Sequence, residues 1–427
     1  MSAFLRNTTP EGSSLVSRGA KVAAFGAGLL LLASCSSSPA ETEETTSAPV
    51  EGDGVFSIGT ILPATGNLAF LGPPEVAAVN LAAQEIEAAG EAFPFTVEIN
   101  ERDSGDTTTD IATQSAGELV DIGADVVIGA ASSGVSFTFV DQLVDAGIVQ
   151  ISPANTSPDF STYEDDGYYW RTAPSDVLQG RVLGNLMVGD GAASVGFIYV
   201  NDPYGIGLEE NATEAIEAAG GEVVASVPYN PGDTVFTSQV SELLAAQPDA
   251  IAVIAFEETA SIIPELINTQ GYDSSKVYFV DGNLSNSYEF QPGTLTGAKG
   301  TLPGNPADTT FQTRLKEVDP ALEDFSYAPE SYDAVIVAAL AAAQAGDDSG
   351  QSIRDNMMSV STEGTKCTTL ADCLALIAED EDIDYDGISG PIEFDENGDP
   401  TEAYIGIYQY GTGNTYSATT SEFGSLN

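Results

Sequence analysis

The chain has 427 residues and 42% hydrophobic content, enough for two or three domains with a sizeable core. Its 12 Lys and Arg stand against 65 Asp and Glu, a formal charge of -53, which argues against nucleic acid or anionic lipid as a direct partner. Histidine is absent, and with it the commonest general base and zinc ligand, so no Ser-His-Asp or Cys-His site can be built.

The acid excess suits solubility, in a medium salty enough to screen it. No GxSxG, Walker A or HExxH pattern occurs. Residues 1–35 read as a targeting segment: Arg18 and Lys21 are the basic region, and Val22 to Leu32 is an apolar run too short to span a bilayer. The run ends in Leu32-Ala33-Ser34-Cys35, which resembles a bacterial lipoprotein signal. That resemblance implies cleavage before Cys35 and a lipid on it. An ordinary signal peptide with a chance cysteine is the alternative. Residues 36–54 have no apolar periodicity and read as a disordered tether.

From Val55 the pattern is βαβα. Strands are expected at Phe56–Leu62, Phe93–Ile99, Ala124–Ile128 and Ile148–Ile151, with helices at Pro74–Ala89, Thr107–Asp121 and Val135–Ala146. Such alternation predicts a parallel sheet covered on both faces. After Val126-Val127-Ile128, Gly129 opens a run of small residues to Gly134. Backbone N–H groups at the next helix start would suit a carboxylate there. The following strand delivers Ser152-Pro153-Ala154-Asn155-Thr156 to the same edge. Two strand ends that converge make a ligand crevice, although ordinary βα turns also use Gly and Ser.

The pattern then restarts. Strands are expected at Val195–Val200, Glu222–Val227, Ala250–Ala255 and Val277–Val280, and helices at Gly205–Ala219, Val235–Ala246 and Glu258–Gln270. Trp170 to Asp176 connects the two halves, and a cleft between two such lobes is a natural small-molecule site. One long apolar helix is expected from Ser331 to Gln344, then strands at Ile392–Phe394 and Tyr404–Tyr410. In an exported protein Cys367 and Cys373 are expected to pair; a metal site is the alternative. Asp382-x-Asp384-x-Asp386-Gly387 with Glu393 satisfies a calcium-loop spacing, but a turn and strand follow it where a helix is needed. A solvated acidic turn is expected, and no metal or other cofactor.

Several motifs together carry a resemblance. They are Ile58-Gly59-Thr60-Ile61-Leu62-Pro63-Ala64-Thr65-Gly66, Ile151-Ser152-Pro153-Ala154-Asn155-Thr156-Ser157-Pro158, Asp202-Pro203-Tyr204-Gly205, Tyr332-Asp333-Ala334, and Gly387-Ile388-Ser389-Gly390-Pro391. In this order they resemble the leucine/isoleucine/valine-binding proteins, the type I periplasmic-binding-protein fold of ABC importers. The likeness runs from Val55 to about Tyr410. It implies two Rossmann-like α/β lobes with central parallel sheets, joined by a three-segment hinge: 55–173 plus 304–404, and 174–303 plus 405–427. It also implies a ligand site. Ser133 would hold the α-carboxylate of an amino acid, the Ala154 carbonyl the ammonium, and Thr156 both. Tyr204 would reach in from the second lobe, Asp281 would pair the ammonium, and Tyr327 would wall the side-chain pocket. Bland alternatives stand beside these: a helix cap for Ser133, turn residues for Thr156 and Asp281, a surface tyrosine for Tyr204. Leu71, and Phe256 or Glu257, depart from the aromatic residues of some relatives, which leaves the ligand's side chain open. The expected protein is not an enzyme. It is a monomeric, lipid-anchored receptor on the outer face of the membrane, which captures a small amino acid, branched-chain first, for an ABC permease. A receptor for a short amide, urea or aromatic acid, or a ligand sensor, is the alternative.

Overall fold

The computed structural model describes residues 51–426; the leader, Cys35 and most of the expected tether lie outside the described residues. In chain order the first elements are β1 (Val55–Leu62), α1 (Gly72–Ala88), β2 (Thr96–Asp103), α2 (Ile111–Ile122), β3 (Val126–Gly129), α3 (Ser133–Ser136), α4 (Val140–Ala146), β4 (Val149–Ser152) and β5 (Tyr169–Arg171). Their strands form one parallel sheet in the order β2-β1-β3-β4-β5. β1, β3 and β4 are fully buried apart from Val55, as near-continuous Val and Ile runs require.

The next elements are α5 (Asp176–Gly189), β6 (Ser194–Val200), α6 (Pro203–Ala218), β7 (Glu222–Tyr229), α7 (Thr237–Ala245), β8 (Ala250–Ile254), α8 (Thr259–Ile263), β9 (Val277–Phe279) and β10 (Lys299–Pro303). The chain continues with α9 (Thr309–Val318), α10 (Ala328–Ala345), α11 (Gly350–Asn356), β11 (Thr365–Cys367), α12 (Leu370–Ala378), β12 (Ile383–Tyr385), β13 (Glu402–Tyr410) and β14 (Tyr416–Ser425). A second sheet runs β14-β13-β10-β9-β8-β6-β7, with β13 and β14 antiparallel to their neighbours. The helix expected from Ser331 is α10. It is buried from Ala328 to Ala342 and packs with α1 in the core of the first sheet.

Several expected elements are reshaped. The helix expected over Val135–Ala146 breaks between α3 and α4, where Phe137 stacks on Phe160 at 4.0 Å and Phe160 on Tyr169 at 4.2 Å. The helix expected over Glu258–Gln270 ends as α at Ile263 and continues as one wide turn, Pro264–Thr269. Pro264 has no N–H to continue the α-helical ladder. Ile392–Phe394 is no strand: only isolated bridges at Pro391 and Phe394 remain.

Cys367 and Cys373 are bonded to each other, with Cα atoms 5.4 Å apart, and both are buried in the core of the first sheet. The acidic turn beside them does not gather around a vacancy. Lys366 Nζ lies 2.9 Å from Asp384, 3.0 Å from Asp386 and 2.8 Å from Glu393. Among the described residues, no cluster of three or more acidic or thiol groups could hold a metal ion.

Burial has a pH consequence just before β3, the central strand of the first sheet. Burial pushes the Asp125 carboxyl up from 3.8 to about 7, against the pull of the Ser57 N–H, which donates to its Oδ2 at 2.8 Å. The folded chain therefore holds a proton there that the unfolded chain has lost. Stability from this group is full below 3.8 and falls as pH rises towards about 7. Asp125→Asn keeps an oxygen for Ser57 and removes the charge. Urea midpoints measured from pH 4 to 8 should fall less steeply in the variant. An unchanged slope would show that Asp125 is ionised in the fold.

Candidate ligand-binding site

In each sheet the strand order reverses beside a strand that precedes a site loop. In the first, β1 lies between β2 and β3; in the second, β6 lies between β7 and β8. Open α/β sheets leave a crevice at such a switch point, outside the carboxyl ends of the strands. The loops after β1 and β3 and those after β6, β8 and β9 line one pocket, closed down to about 10 Å³ of free space. That is room for about one water, so a ligand enters only as the walls part.

Ser133, Ala154, Tyr204, Asp281 and Tyr327 all line this cavity, together with Leu68, Leu71 and Phe256. Gly129 ends β3 with φ +125°, and a Cβ there would collide with Ile61 O, so the turn needs glycine. Ser132, not Ser133, caps α3, accepting from the Val135 N–H at 3.4 Å. The Ser133 hydroxyl oxygen instead accepts the N–H groups of Thr156 and Ser157, each at 3.3 Å. Its hydrogen remains available to a ligand acceptor.

Thr156 stands one layer behind the cavity wall. Its carbonyl accepts the Asp176 N–H at 2.7 Å, which ties this loop to the start of α5, and its buried hydroxyl has no partner. Tyr204 is buried, with 3% exposure, and stacks on Phe256, centroids 5.4 Å apart; it is not a surface turn residue. Asp202 caps α6 through the Gly205 N–H at 2.8 Å and so positions the tyrosine.

Asp281 is the hub. Its Oδ1 accepts the Tyr204 hydroxyl at 2.7 Å and Gln179 Nε2 at 2.9 Å, and its Oδ2 accepts the Tyr327 hydroxyl at 2.7 Å. A carboxylate has about four acceptor sites, so one remains on Oδ2. Tyr327 holds its place with φ +59°, a left-handed backbone that a bulky residue rarely adopts. Strain of this kind collects at functional sites.

The electrostatics are one-sided. Burial pushes the Asp281 carboxyl up, and the hydrogen bonds from Tyr204, Tyr327 and Gln179 offset part of that. Asp176 is fully buried with both oxygens unpartnered. Burial and the neighbouring Asp281 push its carboxyl well up; the nearby Thr156 hydroxyl and Arg171 pull the other way, the hydroxyl without reaching hydrogen-bond geometry. Arg171 offers no free charge, since it is clamped to Asp399 at 2.6 Å. Two buried acids with no cation between them disfavour an anion and favour a ligand that brings an ammonium.

The sequence reading missed Gln179 and Asp176 because it missed α5. The signal was present: Ser175 precedes Val177, Leu178, Val182, Leu183 and Leu186 at helical spacing.

Two α/β sheets whose switch points share one pocket have the architecture of a solute-binding protein. The periplasmic binding protein family model matches residues 55–414, and the chain belongs to that family; it is 26% identical over 305 residues to Leu/Ile/Val-binding protein homolog 3 of Brucella melitensis, covering 70% of this chain and 81% of the relative. It is 26% identical over 373 residues to the chemotactic signal transduction system substrate-binding protein BasB of Halobacterium salinarum, covering 82% of this chain and 86% of the relative. The structure superposes with TM-score 0.71 on the branched-chain amino acid transporter substrate binding protein LivJ of Streptococcus pneumoniae in complex with isoleucine, at 20% identity over 87% of this chain and 99% of that one. A solute binding protein of an ABC transporter from R. palustris, in complex with benzoate, superposes with TM-score 0.68 at 18% identity, covering 86% and 96%. The family is extracytoplasmic and its members bind small molecules. Among the described residues no helix is long and apolar enough to cross a membrane.

Proposed function

We propose that the chain captures a small amino acid, branched-chain first, between two lobes and delivers it to an ABC importer. The lobes are taken as 55–173 plus 304–404 and 174–303 plus 405–427, a division the two sheets favour, although β13 already starts at Glu402. The carrying observation is the polarity of the cavity. Asp281, with one acceptor site left, lines the same pocket as Ser132 and Ser133, and Leu68, Leu71 and Phe256 supply its apolar wall. A zwitterion with a short apolar side chain matches that mixture, because each charge loses water on closure and must meet a partner inside. Ser133 would take the carboxylate, the Ala154 carbonyl and Asp281 the ammonium, with Thr156 behind Ser133 and Tyr204 and Tyr327 as walls. A lipid on Cys35 would hold the receptor at the outer face of the membrane.

Calorimetry against a panel of amino acids, with mass spectrometry of ligand released from protein purified from cells, tests this. Saturable binding of Leu, Ile or Val is expected. Binding of aromatic acids or short amides alone would move the chain to the alternative ligand class. The likeness to BasB favours a second use of the same cavity, reporting ligand to a signalling partner. Loss of uptake of the bound amino acid on deletion of the gene would decide for import.

A further inference from the structure

The mouth of the cleft carries four acids. Asp106 follows β2 of the first sheet; Asp202 follows β6, and Glu257 and Glu258 follow β8, of the second. All four stand beyond carboxyl ends of strands, on the crevice side. Hydrogen bonds between the two sets of loops hold them together. The Glu257 N–H donates to the Asn67 carbonyl at 3.2 Å, and the Ser157 hydroxyl donates to the Pro203 carbonyl at 3.1 Å. Gly66, beside Asn67, packs on Asp106, so closely that a Cβ on it would come 3.0 Å from the Asp106 Cβ. The loop after β1 thus links Asp106 to Glu257.

These carboxylates have no counter-charge: among the described residues no ion pair includes Asp106, Asp202, Glu257 or Glu258. Asp106 and Asp202 each use Oδ1 within their own turns, accepting the Thr108 N–H at 2.9 Å and the Gly205 N–H at 2.8 Å. Asp202 Oδ2 has no partner, on a residue 7% exposed, and it points across the cleft: a Cβ on Gly134 of α3 would lie 3.5 Å from it. Burial pushes the Asp202 carboxyl up to about 6, the Gly205 N–H pulling against it and Glu258 adding to it. Burial, then Glu258 and Asp106, push the Glu257 carboxyl up. Repulsion between such charges weakens as salt shortens the screening length, ~10 Å at 0.1 M and ~3 Å at 1 M. No set of three acidic groups among the described residues could hold a metal ion, so the relief available is diffuse.

From these facing acids we infer that the cleft mouth is an ionic-strength gate on ligand capture. Closing the lobes sets Asp106 against Glu257 and Glu258 and takes Asp202 out of water, so charge opposes closure and salt favours it. This rests on the reading that two lobes part and close about a ligand. A zwitterion has no net charge, so its own long-range attraction to the acidic protein does not reverse the sign.

The test is calorimetry with leucine at about 0.1 M and about 1 M sodium chloride, near neutral pH, beside small-angle scattering of the protein without leucine. Wild type should bind leucine about three- to tenfold more tightly at the higher salt, and its radius of gyration should fall. Asp106→Asn combined with Glu257→Gln should bind more tightly than wild type at the lower salt and lose most of the salt gain. Glu91→Gln combined with Glu222→Gln removes the same charge from exposed positions by the amino ends of β2 and β7, and should keep the wild-type gain. Potassium chloride should act as sodium chloride does. A salt gain unchanged in the cleft variant, or lost equally in the control, overturns the inference, as does a response to one cation alone, which would mean a bound ion. If leucine binds at neither salt, the amino-acid reading falls but the gate is still decided: a radius that ignores salt, or that responds alike in both variants, overturns it.

Discussion

Asp281→Ala is expected to weaken amino-acid binding roughly ten- to a hundredfold or more, with the fold intact. A hydrogen bond to a charged group is worth about 1.5–3 kcal/mol, and each ~1.4 kcal/mol is a factor of ten. Asp281 also organises Tyr204, Tyr327 and Gln179, so its loss frees both tyrosine hydroxyls. Thr156→Ala should act in the same direction, because it removes the buried, unpartnered hydroxyl near Asp176 and leaves a gap behind Ser133, while the backbone N–H of residue 156 is kept. Binding should also strengthen with pH through the acid range, because burial raises the Asp281 carboxyl and only its ionised form pairs an ammonium. Calorimetry on folded variants is the check. If both variants bind as wild type does, the ligand lies elsewhere. If only Asp281→Ala is neutral, the ligand lacks an ammonium, and an aromatic acid or amide takes its place.

Asp399→Ala is expected to cost about 3–5 kcal/mol of stability, the range for removing one partner of a buried ion pair. Arg171 is fully buried. Its Nε meets Asp399 Oδ1 at 2.6 Å and its Nη2 meets Oδ2 at 2.9 Å. The same guanidinium donates to the Ser157 carbonyl at 2.8 Å and to the Asn155 carbonyl at 3.3 Å. Without Asp399 a buried cation keeps only neutral acceptors. The loop that carries Thr156 then loosens, so ligand affinity should fall as well. Urea unfolding measures the loss. The double variant Arg171→Met, Asp399→Leu should recover much of it, since no charge stays buried. A single-variant loss below ~1 kcal/mol would show that water reaches Arg171.

The ligand loops were legible because they follow strands with strong local signatures. Val126-Val127-Ile128 before Gly129, and Val277 to Val280 before Asp281, are β-branched and aromatic runs closed by turn residues, so the strand ends and their loops could be placed. α5 was missed because its polar and glycine positions blur its apolar face, and Gln179 and Asp176 were lost with it. β14 was missed for a related reason: Tyr416–Ser425 is largely exposed and polar, and only its pairing with β13 makes it a strand. Edge strands are written in the partner they meet rather than in their own hydropathy.

Local chemistry in the sequence was enough to set the parallel α/β class, the tandem halves and the loops that face the crevice, because βα periodicity and turn residues act over a few neighbours. Ligation was beyond it. That Asp281 takes donors from Tyr204, Gln179 and Tyr327, 77, 102 and 46 residues away, depends on which loops the two sheets bring together. That Lys366 neutralises an acidic turn of calcium-loop spacing, and that Asp399 claims Arg171 across 228 residues, are likewise matters of tertiary contact. Charge pairing falls off with distance in space and takes no account of separation along the chain, so only the folded arrangement decides which acids are already satisfied and which still need a ligand.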